Sequence, residues 1–386
     1  MKYHKCRKIK GMLKFFTLMI IPSAAAYGIG RADIFSKLKP AKPVANTVSA
    51  TEAPPNSTET EESITKPDEL LYGSLILSKG YGIKPEIEQG EHFLELQSPL
   101  EMVSDTVGEV PYPQQWGSGG EIIRTTFGEY FGDSFFSLEN GGQVNNKTDI
   151  PNEVLQNECW YLPNFSVESL DEPLVLIYHT HTCESFEPYV RDEYDVNFNF
   201  RTTDETKNMV MVGNAIQAEL EAQGVGVIHL TEIHDHPSYN GAYDRSRANI
   251  IPILEEYPSI RVVLDIHRDA LGDECSAYQP FISVDGKEAA QVMIISCCDD
   301  GTMGMTNYME NFHFACYLQQ KLESDFPGIT RPILFDYRCY NQDLTNGSLL
   351  IEVGSHGNTL EQSQYSGQLI GKSLGELLKT MCSESS

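Results

Sequence analysis

The stretch Leu174–Ser185, LVLIYHTHTCES, decides the fold class, because five apolar residues run directly into two histidines, a cysteine and a glutamate. A short apolar run of this kind predicts a buried β-strand. The polar side chains after it carry nitrogen, sulfur and oxygen atoms that can bind a metal ion. The stretch therefore predicts a strand that ends either in a metal site or in a hydrogen-bonded loop.

Strands and helices alternate from this stretch to the carboxyl terminus. Segment 204–225 has the spacing of an amphipathic helix, with Asp204 predicted to cap its start and Gly224 to end it. The turn sequence VDGK predicts a hairpin between YQPFIS and AAQVMIIS. The other predicted elements are strands over 260–267 and 348–354 and helices over 242–258, about 306–325 and about 359–381. This alternation predicts an α/β fold over residues 171–386, with helices flanking an open, mostly parallel sheet.

The amino-terminal part of the chain predicts export. Six lysines and arginines precede an apolar run from Phe15 to about Gly30, which is the charge order of an export signal. We assign residues 1–32 to this segment, which is either a cleaved signal peptide or an uncleaved transmembrane anchor. Residues 33–69 are rich in Pro, Ser, Thr and Glu and predict a disordered linker, and residues 70–170 are an accessory region of unknown fold.

Charge and cysteine content exclude several classes of partner and site. The formal net charge is -27, and the first 40 residues hold 9 of the 28 basic residues but only one of the 55 acidic ones. The rest of the chain is strongly acidic, which disfavours binding to nucleic acid or to anionic lipid headgroups. The nine cysteines have no repeated CxxC spacing, so neither a zinc ribbon nor a disulfide framework is indicated. Most of them are expected to be small buried apolar side chains.

Ionisable residues follow the predicted strands at the points where these strands end. His181 and Glu184 lie three residues apart after the first strand, and His267 ends a later one. Because ligands of open α/β sheets sit at the carboxyl ends of the strands, these three side chains are expected to converge. Two imidazoles and one carboxylate suit Zn²⁺, and three protein ligands leave the fourth position open, as in catalytic zinc sites. The sequence predicts a catalytic zinc ion bound by His181, Glu184 and His267.

Another histidine leaves an alternative for this site. His179 lies two residues before His181, so on an extended strand both rings would face the same side of the sheet. His179 would then be the ligand in place of His181 or a catalytic group beside the metal, and a hydrogen-bonded histidine pair is the simpler alternative. His181 is preferred as the ligand because it forms the His-x-x-Glu pair. His234 and His236 are predicted to lie in a surface loop, because polar residues and a proline surround them.

Glu352 is the predicted catalytic base. It lies between Ile351 and Val353 in an apolar strand, where burial raises the pKa of a carboxylate toward the range of a general base. A buried glutamate paired with an arginine is the alternative. Two neighbours of His267 complete the predicted site: Asp265 would orient the imidazole, and Arg268 would bind a substrate carboxylate, unless both belong to a salt-bridge network.

Six stretches carry a family resemblance. They are LIYHTHTCES, VGNAIQAELEAQGVGVIH, HDHPSYNGAYDRS, VVLDIHRDA, YNQDL and LLIEVGSHGNTLEQS, and in this order they cover about residues 172–380. Together they resemble the stage II sporulation protein P family of cell-wall hydrolases, which are related to zinc-dependent N-acetylmuramoyl-L-alanine amidases. The resemblance implies an amidase or zinc-carboxypeptidase-like fold, with His181, Glu184 and His267 at metal-ligand positions and Glu352 at the catalytic position.

The resemblance also implies an activity and a location. The expected activity is cleavage of the amide between N-acetylmuramic acid and L-alanine in peptidoglycan, together with endopeptidase activity on peptide cross-links, during engulfment of the forespore. The expected location is the cell membrane, with a single-pass anchor and the catalytic domain in the forespore intermembrane space. Stage II sporulation proteins D and M are the implied partners. A zinc carboxypeptidase and a catalytically inactive wall-binding scaffold are the alternatives.

Overall fold

The computed structural model describes residues 109–273 and 275–384 of the 386-residue chain. The predicted export segment, the linker and residues 70–108 of the predicted accessory region lie outside the described residues. Among the helices of these two ranges, none is both long and apolar enough to cross a membrane.

The described residues form strands and helices in an alternating order. The strands are β1 (Gly119–Thr125), β2 (Phe135–Ser137), β3 (Gln143–Asn146), β4 (Pro173–Tyr178), β5 (Glu193–Asp195), β6 (Gly226–His229), β7 (Val262–Asp269), β8 (Gly272–Asp273), β9 (Ser276–Val284), β10 (Lys287–Ala290), β11 (Val292–Cys298), β12 (Ile333–Tyr337) and β13 (Gly347–Ser355). The helices are α1 (Asn152–Glu158), α2 (Val210–Ala222), α3 (Ala242–Glu256), α4 (Tyr308–Asp325) and α5 (Leu360–Glu384).

Eight strands form the main sheet, in the order β2-β3-β12-β11-β13-β7-β4-β6. Strands β13, β7, β4 and β6 run parallel to one another, but β11 is antiparallel to β13 and β2 is antiparallel to β3. The sheet is therefore mixed, and the prediction of a mostly parallel sheet is wrong in this respect. The physical reason is the short connection 338–346 between β12 and β13, which is too short for the crossover that returns a chain to a parallel strand.

A second, smaller sheet has the order β10-β9-β1-β5, with β8 paired to β9. Its hairpin turns at Asp285 and Gly286, which have φ angles of 51° and 77°, as a two-residue turn requires. The predicted hairpin partner is only partly right, because β10 pairs with β9 whereas β11 passes into the main sheet. Strands β1 to β3 come from the predicted accessory region and join both sheets. The division of the whole chain into domains stays a prediction.

Helices cover both faces of the main sheet and leave its carboxyl-terminal edge for the polar residues. On one face, α2, α4 and α5 enclose a core that includes Ile177, Ile266 and Ile351. On the other face, a smaller core under α3 includes Leu176 and Val263. Consecutive residues of a strand point to opposite faces, so the polar residues next to these isoleucines face away from the larger core.

One helix start differs from the sequence-based expectation. The α2 helix begins at Val210, and the Asp204 side chain instead accepts a hydrogen bond from the Thr206 amide in the preceding turn. The Asn208 side chain accepts a hydrogen bond from the Val210 amide at the true helix start. Gly224 follows the helix with a φ of 81°, the left-handed conformation in which glycine commonly ends helices.

Candidate metal and catalytic site

Three strands bring the predicted site residues to one edge of the main sheet. In the parallel ladder, Glu352 of β13 is the register partner of His267 of β7, and Asp265 of β7 is the partner of Tyr178 at the end of β4. The turn after β4 carries His181 beside them. The imidazole rings of His181 and His267 lie 5.1 Å apart between centroids and are nearly perpendicular.

Carboxylates surround the imidazole of His267. Its Nε2 atom lies 2.7 Å from Asp265 Oδ1, although the ring is not aligned for a regular hydrogen bond, and its Nδ1 atom lies 3.8 Å from Glu184 Oε2. Burial alone would lower the pKa of His267. The negative charges of Asp265, Glu184 and Glu352 outweigh burial and raise the pKa to about 9. Asp265 thus holds the ring by one side, as strand alternation predicts, while Glu184 faces the other nitrogen.

The imidazole of His181 is buried and carries an unused nitrogen. Its Nδ1 atom has no hydrogen-bond partner and lies 4.0 Å from Asp235 Oδ2. Burial lowers the pKa of His181, and the positive charges of His267 and Arg201 lower it further. The ring stacks on Tyr239, with 4.3 Å between centroids, and the Arg201 guanidinium lies over the same tyrosine at 5.0 Å. His181 is therefore a neutral, fixed imidazole with a lone pair available.

The carboxylate of Glu184 is bound from two sides. Its Oε2 atom accepts a hydrogen bond of 3.1 Å from the backbone amide of Arg268, and its Oε1 atom lies 3.9 Å from Arg201 Nη1. A β-bridge between Glu184 and Arg201 fixes the backbone at this point. The side chain therefore lies close to His267 without depending on the ion pair with Arg201.

Glu352 carries an unpaired carboxylate oxygen. The residue is partly exposed, but Oε2 is shielded from solvent and has no hydrogen-bond partner. Burial raises the pKa of Glu352 to about 8, with a contribution from the negative charge of Asp269, against the opposing charge of His267. No hydrogen-bonded arginine partner is found for Glu352 in the described part of the chain. A carboxyl group with this pKa can accept and return a proton near neutral pH.

His179 lies on the opposite face of the sheet from His181. Its Nδ1 donates to the carbonyl oxygen of Ile266 at 2.8 Å, and its Nε2 contacts His229 Nε2 at 2.9 Å under α2. The expectation that both rings share one face is wrong, because β4 ends at Tyr178 and the chain turns between the two histidines. The structure thus places His179 away from the cluster.

Arg268 is also placed differently from the expectation. Its Nε, Nη1 and Nη2 groups donate to the backbone carbonyl oxygens of Ser185, Asp269 and Phe200, at 3.1, 3.4 and 3.1 Å. The side chain is 5 % exposed. The guanidinium therefore braces the loops around the cluster through these three hydrogen bonds.

Sequence reasoning missed three neighbours of the cluster. Asp235 is buried, pairs with Arg201 and accepts hydrogen bonds from the Cys183 amide, and Tyr239 lies against His181. The expectation of a surface loop here is wrong for His234, which is 1 % exposed and contacts the carbonyl oxygen of His179 at 2.8 Å. The available signal in the sequence was Asp235 between His234 and His236, but Pro237 after them favoured the interpretation as a surface loop.

The donor atoms fit a zinc ion in chemistry. Across residues 109–273 and 275–384, no three His, Cys, Asp or Glu side chains already surround one point as metal ligands. The cluster nevertheless contains a buried imidazole nitrogen of His181 without a partner, next to a second imidazole and the carboxylate of Glu184. Orphaned buried donors are rare in proteins, and two imidazoles with one carboxylate form a donor set that zinc accepts. We therefore keep His181, Glu184 and His267 as the candidate ligands.

Comparison with known proteins gives a family match and several relatives. The pattern of the Stage II sporulation protein P (SpoIIP) family matches residues 134–375. Stage II sporulation protein P of Bacillus subtilis (strain 168) is 29% identical over 205 residues, which cover 50% of this chain and 48% of that protein. The chain thus spans about half the length of the curated relative that it matches.

Solved structures give weaker likenesses. The CwlD amidase of Clostridioides difficile, in complex with the GerS lipoprotein, has a TM-score of 0.32 and 14% identity over 55% of this chain and 99% of that chain. The N-acetylmuramyl-L-alanine amidase of Mycobacterium smegmatis has a TM-score of 0.30 and 14% identity over 55% of this chain and 100% of that chain. Likenesses at these scores carry no argument about function.

Proposed function

This chain belongs to the stage II sporulation protein P family, and we propose that it is a peptidoglycan hydrolase of sporulation, acting as a zinc-dependent N-acetylmuramoyl-L-alanine amidase. The observation that carries the proposal is the convergence of His181, Glu184 and His267 with the unpaired carboxylate of Glu352. Family membership supports peptidoglycan as the substrate, and the residues of the cluster support hydrolysis of an amide.

The proposed mechanism assigns a role to each residue of the cluster. His181, Glu184 and His267 would hold the zinc ion, which when bound would act as a Lewis acid on the amide carbonyl. Glu352 accepts a proton from the attacking water and donates it to the nitrogen of the departing L-alanine. Asp265, 2.7 Å from His267 Nε2, holds that imidazole so that Nδ1 faces the Glu184 carboxylate.

The position of Arg268 favours an amidase over a carboxypeptidase. A carboxypeptidase needs a cation that binds the terminal carboxylate of its substrate, and Arg268 was the sequence-based candidate for that role. Its donors are directed at three backbone carbonyl oxygens instead. The amide between the glycan and the stem peptide needs no such cation. Cleavage of peptide cross-links by the same site remains part of the proposal.

The test is digestion of purified sacculi with the full-length chain in detergent, followed by mass spectrometry of the products. Intact stem peptides together with glycan strands would support the amidase. Free terminal amino acids would indicate a carboxypeptidase, and shortened cross-linked peptides an endopeptidase. Binding to sacculi without cleavage at any zinc loading would refute hydrolysis and support a wall-binding scaffold.

The catalytic role of Glu352 is tested by Glu352→Gln. Loss of a general base lowers turnover by about 10²–10⁴-fold, while the zinc content and the fold should stay unchanged. Glu376→Gln on α5 is the matched control, because the Glu376 carboxylate is exposed and pairs with Lys321 of α4. Normal turnover by Glu352→Gln would remove this residue from the mechanism.

We also propose a location and partners. The basic and apolar order of residues 1–32 supports a single-pass membrane anchor or signal, with the catalytic domain outside the cytoplasm in the forespore intermembrane space. The family resemblance supports proteins of the stage II sporulation D and M families as partners, and the acidic charge disfavours recruitment to the wall through attraction to an anionic polymer. Protease accessibility in intact sporulating cells and co-purification of the full-length chain with each partner test these two points.

A further inference from the structure

Two cysteines far apart in the sequence meet inside the protein. Cys159 follows α1 and Cys316 lies in the middle of α4, and their Sγ atoms are 3.2 Å apart across a separation of 157 residues. Both side chains are buried, with 8 % of Cys159 and 0 % of Cys316 exposed. Carbon atoms in protein cores pack at about 3.5–4.0 Å, so these two larger sulfur atoms are closer than an ordinary apolar contact and lie within hydrogen-bond distance of each other. A disulfide bond needs a further approach to about 2.0 Å.

We propose that Cys159 and Cys316 form a disulfide bond that fixes α1 to α4 once the chain is outside the cytoplasm. The inference rests on the export in the proposed function, because disulfides persist in oxidising compartments and are rare in the cytosol. Both cysteines are buried, as the sequence predicts, and the proposal adds a covalent role to their packing. The adjacent contacts are non-covalent: Glu158 of α1 lies 2.9 Å from His313 of α4, and Phe165, after α1, lies 5.4 Å from Phe314 of α4 between ring centroids.

The oxidant is a disulfide, either on a small molecule or on an oxidoreductase. Cys159 has the more accessible thiol, so its thiolate attacks the oxidant, forms a mixed disulfide and displaces one thiol of the oxidant. The Cys316 thiolate then attacks Cys159 Sγ and displaces the second thiol. The two cysteines lose two protons and two electrons, and the oxidant becomes two thiols. Burial raises the pKa of Cys316, which lowers its thiolate fraction and slows the second step.

The disulfide is expected to affect stability and not the chemistry at the candidate site. Cys316 belongs to the core that includes Ile266 and Ile351, whereas His267 and Glu352 are the next residues on these strands and face the other way. Closing a loop of this length restricts the unfolded chain strongly. The oxidised protein should therefore melt roughly 5–15 °C higher than the reduced protein.

The experiment compares oxidised and reduced forms of the full-length chain in detergent. After equilibration with oxidised glutathione, alkylation and non-reducing peptide mass spectrometry should identify a cross-linked pair of peptides that contain Cys159 and Cys316, lighter by two hydrogens. The same sample should melt at the higher temperature. Cys316→Ala and Cys159→Ser should abolish the redox dependence of melting, and Cys382→Ser, near the end of α5, should keep it.

Three outcomes would overturn the inference. These are full alkylation of both thiols in oxidised glutathione, equal melting temperatures of the two redox forms, and reduced Cys159 and Cys316 in the chain recovered from sporulating cells under a thiol trap. Digestion of sacculi by both redox forms separates this inference from the proposed function. A disulfide without hydrolysis would count against the amidase alone, and hydrolysis without a disulfide against the covalent link alone.

Discussion

Two pairs of histidines lie on opposite faces of the same sheet, and their ring centroids are separated by the same 5.1 Å. The Nε2 atoms of His179 and His229 contact each other at 2.9 Å. The Nδ1 atom of His179 donates a hydrogen bond to the backbone carbonyl oxygen of Ile266. His181 and His267 do not bond to each other, and His181 keeps a nitrogen without a partner. Proximity of two imidazoles therefore does not distinguish a candidate metal site from a structural contact.

The surrounding charge separates the two pairs. Burial lowers the pKa of both His179 and His229, and the pKa of His229 falls to about 4. Around His267, three carboxylates overcome burial and raise the pKa to about 9. Negative charge and unused nitrogen atoms occur together only around the second pair. Both are features that attract a cation, which is why the candidate metal site is assigned there.

The largest effect is expected from removal of one imidazole of each pair. His181→Ala should abolish stoichiometric zinc binding and with it hydrolysis, because it removes one of three proposed ligands. His229→Gln should retain one zinc ion per chain, because the two ring nitrogens of His229 contact the structural histidine His179 and Asn214. Elemental analysis of both full-length variants after dialysis measures the difference. Equal loss of zinc from both variants would show that the metal site is wrongly assigned to the His181–His267 pair.

The sequence predicted one pair better than the other for a geometric reason. His267 lies within a long strand, so alternation correctly placed it with Asp265 and beside Glu352. His179 and His181 both follow the end of a strand at Tyr178, where a turn of one or two residues reverses the direction of a side chain. No periodic pattern fixes the residue at which a strand ends, so the sequence left the choice between these two histidines open.

The parts of the site that lie on irregular segments were beyond sequence reasoning. Asp235 and Arg201 come from loops, and their ion pair forms only because distant segments fold together. Likewise, the mixed sheet depends on the short connection 338–346, which has no repeating pattern. Strand and helix periodicity thus predicted the α/β fold and the convergence at the strand ends, while loops decided the neighbours of the cluster.

Acid should destabilise the protein through the structural pair. The folded pKa of His229 is lowered to about 4, below its ordinary value of 6.5, so the unfolded state binds more protons between these two pH values. The contribution of His229 to stability is therefore complete above pH 6.5 and is lost as the pH falls toward 4. The loss amounts to at most about 3 kcal/mol in the free energy of unfolding.

Denaturant unfolding at several pH values measures this loss. Carboxylates titrate in the same range, so the informative quantity is the difference between the parent and His229→Gln, which cannot take up this proton. The parent should lose more stability on acidification than the variant. Parallel stability curves would show that burial does not hold His229 in its neutral form.

A smaller effect is expected from substitution of Asp265, the carboxylate that orients His267. Asp265 lies 2.7 Å from His267 and also accepts hydrogen bonds from the amide and hydroxyl of Thr180, which fix its position. Asp265→Asn should weaken zinc binding by about 10–100-fold, because partners of ligating histidines raise the basicity of the imidazole. Competition with a chelator measures the affinity. Asp325→Asn on α4 is the control and should leave the zinc affinity unchanged. Equal affinities of the parent and the two variants would contradict an orienting role for Asp265.

The smallest effect is expected from the ring that stacks on His181. Tyr239 stacks on the His181 imidazole, with 4.3 Å between the ring centroids, and the Arg201 guanidinium lies over the Tyr239 ring at 5.0 Å. The tyrosine therefore holds His181 in one orientation. An aromatic pair contributes about 0.5–1.5 kcal/mol, so Tyr239→Ala should weaken zinc binding by about 2–10-fold. Tyr239→Phe keeps the ring and should bind zinc as tightly as the parent. If Tyr239→Phe lost as much affinity as Tyr239→Ala, the hydroxyl and not the stacking would be the contribution of this residue.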